Sequence, residues 1–154
     1  MSNTGLAVFD DTLQKTNIWL NEIGEVIGPD RHRSYQALRA VLHCLRDRLT
    51  VDEAAHLSAQ LPMLVRGIYY EGYRPAGKPA TIRSRDEFLA HIARYLENVR
   101  PIDPADAARA VFRTLQHHCD PGEIRDVLQS LPAEIRTLWP QHTRYTVEAP
   151  AQAD

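Results

Sequence analysis

Glu53-Ala54-Ala55-His56 sets a carboxylate and an imidazole three residues apart. On a helix that spacing puts both on one face, as in bundles that hold metal ions between facing carboxylates. Such a centre also needs a second Glu-x-x-His and one carboxylate from each of two further helices. The chain offers Glu123-x-x-Asp126 for the second half, with Glu22 or Glu25 as remaining donors. A plainer account competes. Thr50 and Glu53 have the capping-box spacing, in which hydroxyl and carboxylate each satisfy an orphan backbone N–H at a helix start. Asp120-Pro121-Gly122-Glu123 has the same grammar. On that account both glutamates act as caps at an exposed helix end, and His56 lies off the Ala54, Leu57, Leu61 stripe. No metal or other cofactor is then expected.

His117-His118-Cys119 is a second place to look for metal chemistry. Adjacent helical residues point about 100° apart, so the two imidazoles suit a basic helix C-terminus, where they complement the macrodipole. No nucleophile elbow, Gly-rich phosphate loop or Cys-x-x-Cys pair occurs, and no catalytic residue is expected.

Three charged positions recur about 70 residues apart: Arg39 with Arg109, Glu53 with Glu123 and Arg66 with Arg136. A solvated charge gains nothing by recurring. Arg66 and Arg136 therefore read first as guanidinium groups holding carbonyls or carboxylates of a neighbouring helix. Their second reading is a pair of anion sites, since Arg matches carboxylate and phosphate forks. A further cluster, Tyr69, Tyr70, Tyr73, Arg74, Lys78, Arg83 and Arg85, surrounds a stretch with two Gly and two Pro. Tyr70 and Tyr73 beside Arg74 have the make-up of a protein-binding surface. With Lys78, Arg83 and Arg85, and with Arg31 and Arg33 further off, they also suit stacking on and neutralising a single-stranded nucleic acid. The structural alternative is that the tyrosines pin a long loop onto the protein body.

The elements that position these residues are helices, and they come twice. Displaced by about 70, Arg39-Ala40-Val41 falls on Arg109-Ala110-Val111, Leu45 on Leu115 and Leu61-Pro62 on Leu131-Pro132, with no gap. An ungapped echo of this length is a structural repeat. Four helical pieces are expected in each copy. The first runs from Asp10 to Ile27 with Leu13, Leu20, Ile23 and Ile27 as its stripe, widened by Trp19 and Val26. The second, Ser34 to Leu49, has Leu38, Val41, Leu42, Leu45 and Leu49 on one face and Gln36, Arg39, His43 and Arg46 on the other, the pattern of a surface helix. The third opens at Thr50, and the fourth at Pro62, a residue tolerated in a first turn. In the second copy Ser84 with Glu87 forms a capping box, and Asp103-Pro104, Asp120-Pro121 and Pro132 open the later helices. Units of ~70 residues are small for independent stability, so the two apolar faces should pack on one another with Trp19 inside. The expected fold is all-α, a single globular helical bundle of two tandem pseudo-symmetric copies over 1–154. Copy one spans 9–70, the basic connector 71–83 and copy two 84–140, and the tail 141–154 should fray.

Composition bounds the rest. Net charge is −2, with 44% hydrophobic and 25% charged residues, which argues against a surface that is wholly an electrostatic trap for nucleic acid. No stretch approaches the ~18–20 apolar residues of a membrane span, and Met1-Ser2-Asn3-Thr4-Gly5 lacks the basic and apolar runs of a signal peptide. Cys44 and Cys119 do not superpose in the repeat and read as reduced, half-buried residues of a cytoplasmic protein.

The run LRAVLHCLRDRL at 38–49, LSAQLPMLVRGIYYEGYRP at 57–75, GEIRDVLQSLP at 122–132 and LWP at 138–140 together resemble the bacterial family catalogued as domain of unknown function 2267. The resemblance covers Trp19 to Pro140, and that family favours Trp where this chain has Tyr73. It implies a helical fold and a small soluble protein, with stress responses as its one functional suggestion. It supplies no activity, cofactor or catalytic residue. The function expected is therefore non-enzymatic: a cytoplasmic helical domain that binds an unknown protein partner through the connector and the neighbouring short helices. Nucleic-acid binding and a metal-holding bundle are the alternatives.

Overall fold

Polar side chains stand at the helix starts, where the first backbone N–H groups lack partners inside the helix. Asp30 accepts the N–H of His32 to open α2 (Arg31–Arg48), and Thr50 accepts that of Glu53 to open α3 (Val51–Ser58). Ser84 opens α5 (Arg85–Tyr95), Asp103 opens α6 (Pro104–His118) and Asp120 opens α7 (Pro121–Ser130). The prolines of α6 and α7 occupy the first turn, where a missing N–H costs nothing. The remaining helices are α1 (Ala7–Ile27), α4 (Met63–Tyr70) and α8 (Ala133–Arg136). Pro62 and Pro132 precede α4 and α8 as caps, one residue earlier than the first-turn position expected for them. Gly28, at φ 110°, ends α1 with its N–H on the carbonyl of Gly24, a backbone conformation that glycine adopts without strain.

The computed structural model describes residues 3–97 and 101–140, and within them the fold is all-α with no strand. The tail from Gln141 lies outside the described residues. Helix limits recur at the interval seen in the sequence. α2 and α6 close at Arg48 and His118, α3 and α7 begin at Val51 and Pro121, and α4 and α8 begin at Met63 and Ala133. Packing joins the two halves of the chain: α1 packs on α2, α6 and α4, while α5 packs on α6, α2 and α8. Between these pairs α2 meets α6, and α3 meets α7.

Buried side chains from both copies form one core. Trp19 and Ile23 of α1 sit there with Leu38, Val41, Leu42 and Leu45 of α2 and with Val111, Phe112 and Leu115 of α6. Trp139 stacks on Phe112 with ring centroids 4.2 Å apart. No described helix is long and apolar enough to cross a membrane.

Two helix faces depart from the expected pattern. Leu13 and Val26, placed on the apolar stripe of α1, are 38% and 42% exposed. Conversely His43 and Arg46, placed on the polar face of α2, are 2% and 3% exposed. For α2 the cause lies in α4, in Tyr95 of α5 and in the connector. The connector folds across the C-terminal end of α2, with the N–H of Ala80 on the Asp47 carbonyl at 2.7 Å and Arg48 Nε on the Ile82 carbonyl at 2.5 Å. Arg46 donates to the carbonyls of Tyr69 at 2.7 Å and Glu71 at 2.6 Å and to the Asp47 carboxylate at 3.0 Å. A buried guanidinium is tolerable only with its donors so engaged. His43 Nε2 lies 2.7 Å from the Ile68 carbonyl, so α2 is anchored to both ends of the segment that follows it.

Candidate functional site

The two capping motifs that look alike in sequence behave differently. At α5 the box is complete: Ser84 accepts the N–H of Glu87, and Glu87 Oε1 accepts the N–H groups of Ser84 at 3.2 Å and Arg83 at 3.3 Å. Those backbone donors, first among the causes, hold the Glu87 carboxyl below its ordinary range. At α3 only half is made. Thr50 Oγ1 accepts the N–H of Glu53 at 3.1 Å, but Thr50 makes no reciprocal bond with the Glu53 carboxylate among the described residues. At α7 Asp120 takes the N–H of Gly122 at 3.0 Å, which leaves the Glu123 carboxylate outside the cap.

Both unspent carboxylates turn to the seam where α3 packs on α7. One donor atom each of Glu53, His56 and Glu123 lies within 4.8 Å of the other two. Oε2 of Glu53 and Oε2 of Glu123 are buried and have no hydrogen-bond partner among the described residues. The cap account of these glutamates, with both at an exposed helix end, is thus corrected: the helices are capped by Thr50 and Asp120, and the glutamates face each other. Burial, then a hydrogen bond with Glu53 and the Glu53 charge, then Asp126 and Asp120, push the Glu123 carboxyl up to about 8. Facing carboxyls at such range cannot both ionise freely.

The other suggested donors are engaged elsewhere. Glu22 accepts from both His117 Nδ1 and His118 Nε2, the latter at 2.9 Å, so two imidazoles adjacent in sequence do converge, on one carboxylate. Glu25 pairs with Arg113 at 3.0 Å. Asp126 touches the seam only through its charge on Glu123.

Of the duplicated arginines, Arg66 is fixed by structure. Its Nε donates to the Ser58 carbonyl at 2.9 Å and its Nη2 to the Leu61 carbonyl at 3.0 Å, ending α3 where the helix leaves carbonyls unpaired. Arg136 is half-buried at the end of α8. Arg39 pairs with Glu71 at 3.0 Å, and Arg109 reaches Asp106 at 3.8 Å on its own helix.

The connector tyrosines face inward. Tyr69 is fully buried and donates its hydroxyl to the Ala54 carbonyl at 2.8 Å. Tyr70 and Tyr73 are half-buried, pack ring to ring at 5.7 Å, and Tyr73 lies under the Arg46 guanidinium at 5.4 Å. Of the cations, Arg31 holds Asn17 and Asn21, Arg33 holds the Ile27 and Pro101 carbonyls, and Arg85 holds Thr137. Arg74 and Arg83 are exposed and Lys78 is half-buried. Structure therefore brings Tyr70 and Tyr73 together but does not gather the cations around their ring faces.

A second surface escaped the sequence reading. Phe9 and Leu13 of α1 face Met63, Leu64 and Gly67 of α4 across a groove of about 380 Å³. Its four large side chains are 38–49% exposed. The walls are joined by the N–H of Leu64, which donates to Thr12 Oγ1 at 2.9 Å; α1 thereby caps α4, which has no capping side chain of its own. Leu13 carried a signal, being on the apolar stripe, but periodicity does not separate a core face from an open one.

Nucleophiles are poorly placed. Burial pushes the thiols of Cys44 and Cys119 up to about 12, and both are free and buried. No curated protein matches the chain. Residues 16–138 match the model of a family described as Uncharacterized conserved protein (DUF2267). That match takes in α2 to α8 whole and the second half of α1; it covers the facing glutamates and the α4 wall of the groove, whereas Phe9 and Leu13 precede it, and the chain belongs to this family.

Proposed function

We propose that the protein is a non-enzymatic helical domain that binds another protein, by seating an amphipathic helix of its partner between α1 and α4. The observation that carries this reading is the groove itself. Phe9, Leu13, Met63 and Leu64 leave apolar surface open on two adjoining helices. Contiguous exposed apolar surface of this kind marks interaction sites, and a groove between helices is the receptor for an amphipathic helix, read as anchors at every third or fourth residue. Gly67 opens the floor: a Cβ built there meets no atom within 4 Å. A partner side chain can approach the α4 backbone at that point.

The connector supports the site differently from what its composition suggests. Its Tyr73 packs toward α2 and not outward, and Arg46 of α2 ties its first residue, Glu71, to the last turn of α4, one wall of the groove, through the Glu71 and Tyr69 carbonyls. Stacking of a single-stranded nucleic acid needs open ring faces beside the cations, and Tyr70 and Tyr73 are turned into each other and Arg46.

Gly67→Leu fills the groove without an intramolecular clash, and Leu64→Asp places a charge in it. With a photo-crosslinking residue at Leu13, partners captured from native lysate should be lost in both variants and kept in the Arg74→Glu, Lys78→Glu double variant. Crosslinks should fall on a helical segment with anchors three and four apart. Capture that survives Gly67→Leu, or retention on polynucleotide lost in the double variant, would refute the reading.

A further inference from the structure

We propose that Glu53, His56 and Glu123 form a binding site for a divalent transition-metal ion, held between α3 and α7.

The donor set comes first. Two carboxylate oxygens and one imidazole nitrogen lie within 4.8 Å of each other. Around an ion with ligand bonds of ~2.0–2.2 Å, ligand atoms stand roughly 3–3.5 Å apart. Closing the set therefore takes a shift of about 1.5 Å, within reach of side-chain torsions on helices that stay still.

The state of the two carboxylates is the second and independent argument. Oε2 of Glu53 and of Glu123 are both buried without a donor among the described residues. No Lys or Arg among the described residues pairs with either group. Buried polar atoms in native proteins are satisfied by protein, water or an ion; in the metal-free chain a proton on Glu123, hydrogen-bonded to Glu53, fills that role, and a cation bound between the carboxylates displaces it. Thr50 stands ready to complete a capping box with Glu53, as Ser84 does with Glu87, yet the carboxylate is turned away. Pairing with Glu123 across the seam takes the place of that local bond and presents both carboxyls to one point.

Recurrence is the third. Glu53 and Glu123 stand 70 residues apart, each third in its helix, and α3 packs on α7. Duplication of a glutamate at this place makes a facing pair automatically, whereas duplication of a solvated charge makes nothing. The partner of His56 at that interval is Asp126, a carboxylate that already acts electrostatically on Glu123.

The kind of ion follows from the ligands. An imidazole with carboxylates suits Zn²⁺, Mn²⁺ or Fe²⁺, whereas Ca²⁺ takes six or more oxygens and Mg²⁺ keeps to oxygen and water. Three protein donors leave at least one position to solvent, and His56 is exposed.

The test uses the full chain, stripped with chelator and titrated separately with Zn²⁺, Mn²⁺ and Co²⁺ by calorimetry, with the visible spectrum of Co²⁺ reporting its ligands. One ion per chain should bind, at micromolar or tighter Kd for Zn²⁺. Glu123→Gln and His56→Ala should each weaken it at least roughly tenfold, the effect of losing a metal ligand or its orienting partner. Both should keep the wild-type circular dichroism, and a metal-dependent rise in melting temperature should vanish in Glu123→Gln. Glu22→Gln, which breaks up the His117–His118 cluster, should leave binding unchanged. No saturable binding of any of the three ions, or binding that survives Glu123→Gln and is lost with Glu22→Gln, would overturn the assignment.

Discussion

Trp139 lies flat on Phe112, with centroids 4.2 Å apart and planes only 8° from parallel, in the centre of the shared core. Its indole N–H is buried and finds no acceptor among the described residues. These two facts pull apart for substitution. Trp139→Ala removes the stack and leaves a cavity, and should cost on the order of 3–5 kcal/mol in chemical denaturation. Trp139→Phe keeps a stacking ring and deletes the orphan donor, so it should cost less than about 1.5 kcal/mol. Equal losses in the two variants would contradict this packing.

Arg46 acts as a bracket on the connector. Arg46→Met keeps the apolar stem but abandons the carbonyls of Tyr69 and Glu71. A loss on the order of 2–4 kcal/mol is expected, with faster amide exchange at Ala80, whose N–H is bonded to the Asp47 carbonyl. Arg46→Lys should rescue little, because one ammonium does not reproduce the fork. Unchanged exchange in the connector would argue against the bracket.

His43 carries a pH dependence of known sign. Burial is the main cause that lowers its pKa from 6.5, opposed by the Ile68 carbonyl and assisted by the charges of Arg46 and Arg39, with Asp47 acting the other way. Above 6.5 the imidazole is neutral in both states and costs nothing. As pH falls below that value the unfolded chain takes up a proton that the folded chain resists, so stability drops. Melting temperature should decline from pH 7 to pH 5 more steeply in the wild type than in His43→Gln, and parallel declines would show that His43 is not responsible.

The facing glutamates predict the opposite slope in metal-free protein. With Glu123 raised from 4.5 to about 8, the folded chain keeps a proton that the unfolded chain releases. Stability from this group is complete below about pH 4.5 and is lost as pH rises toward 8. Glu123→Gln should leave the protein nearly unchanged at pH 5 and stabilise it at pH 8.5. Solvent reaching the pair reduces the gain to on the order of 1–2 kcal/mol. A gain of the same size at both pH values would show that the carboxyls do not interact.

Local chemistry was the most legible part of the chain. Ser84, Asp103 and Asp120 cap helices because their short oxygens compete for backbone N–H groups wherever they stand, and no tertiary knowledge is needed. Burial was less legible where a covering element comes from far along the chain. His43 and Arg46 read as a polar face because nothing in 34–49 announces that α4, the connector and Tyr95 of α5 will cover it. Leu13 reads as core because its stripe is apolar, and only the path of α4 shows that the stripe outruns the core. For Glu53 and Glu123 the cap spacing was legible, but not the turn of both carboxyls to the α3–α7 seam. Which of two competing partners a carboxylate takes depends on α3 meeting α7, a relation between helices and not a property of either.

Because α1 leans on α6 and α5 on α2, the halves on either side of the connector share one hydrophobic core. Each is finished by the other, like two hands clasped. A single cut in the connector near Arg74 would sever the backbone and leave the Trp139–Phe112 stack and the α3–α7 seam untouched. The halves of this protein are therefore mutual templates, and its covalent continuity sets their local concentration more than it sets their shape.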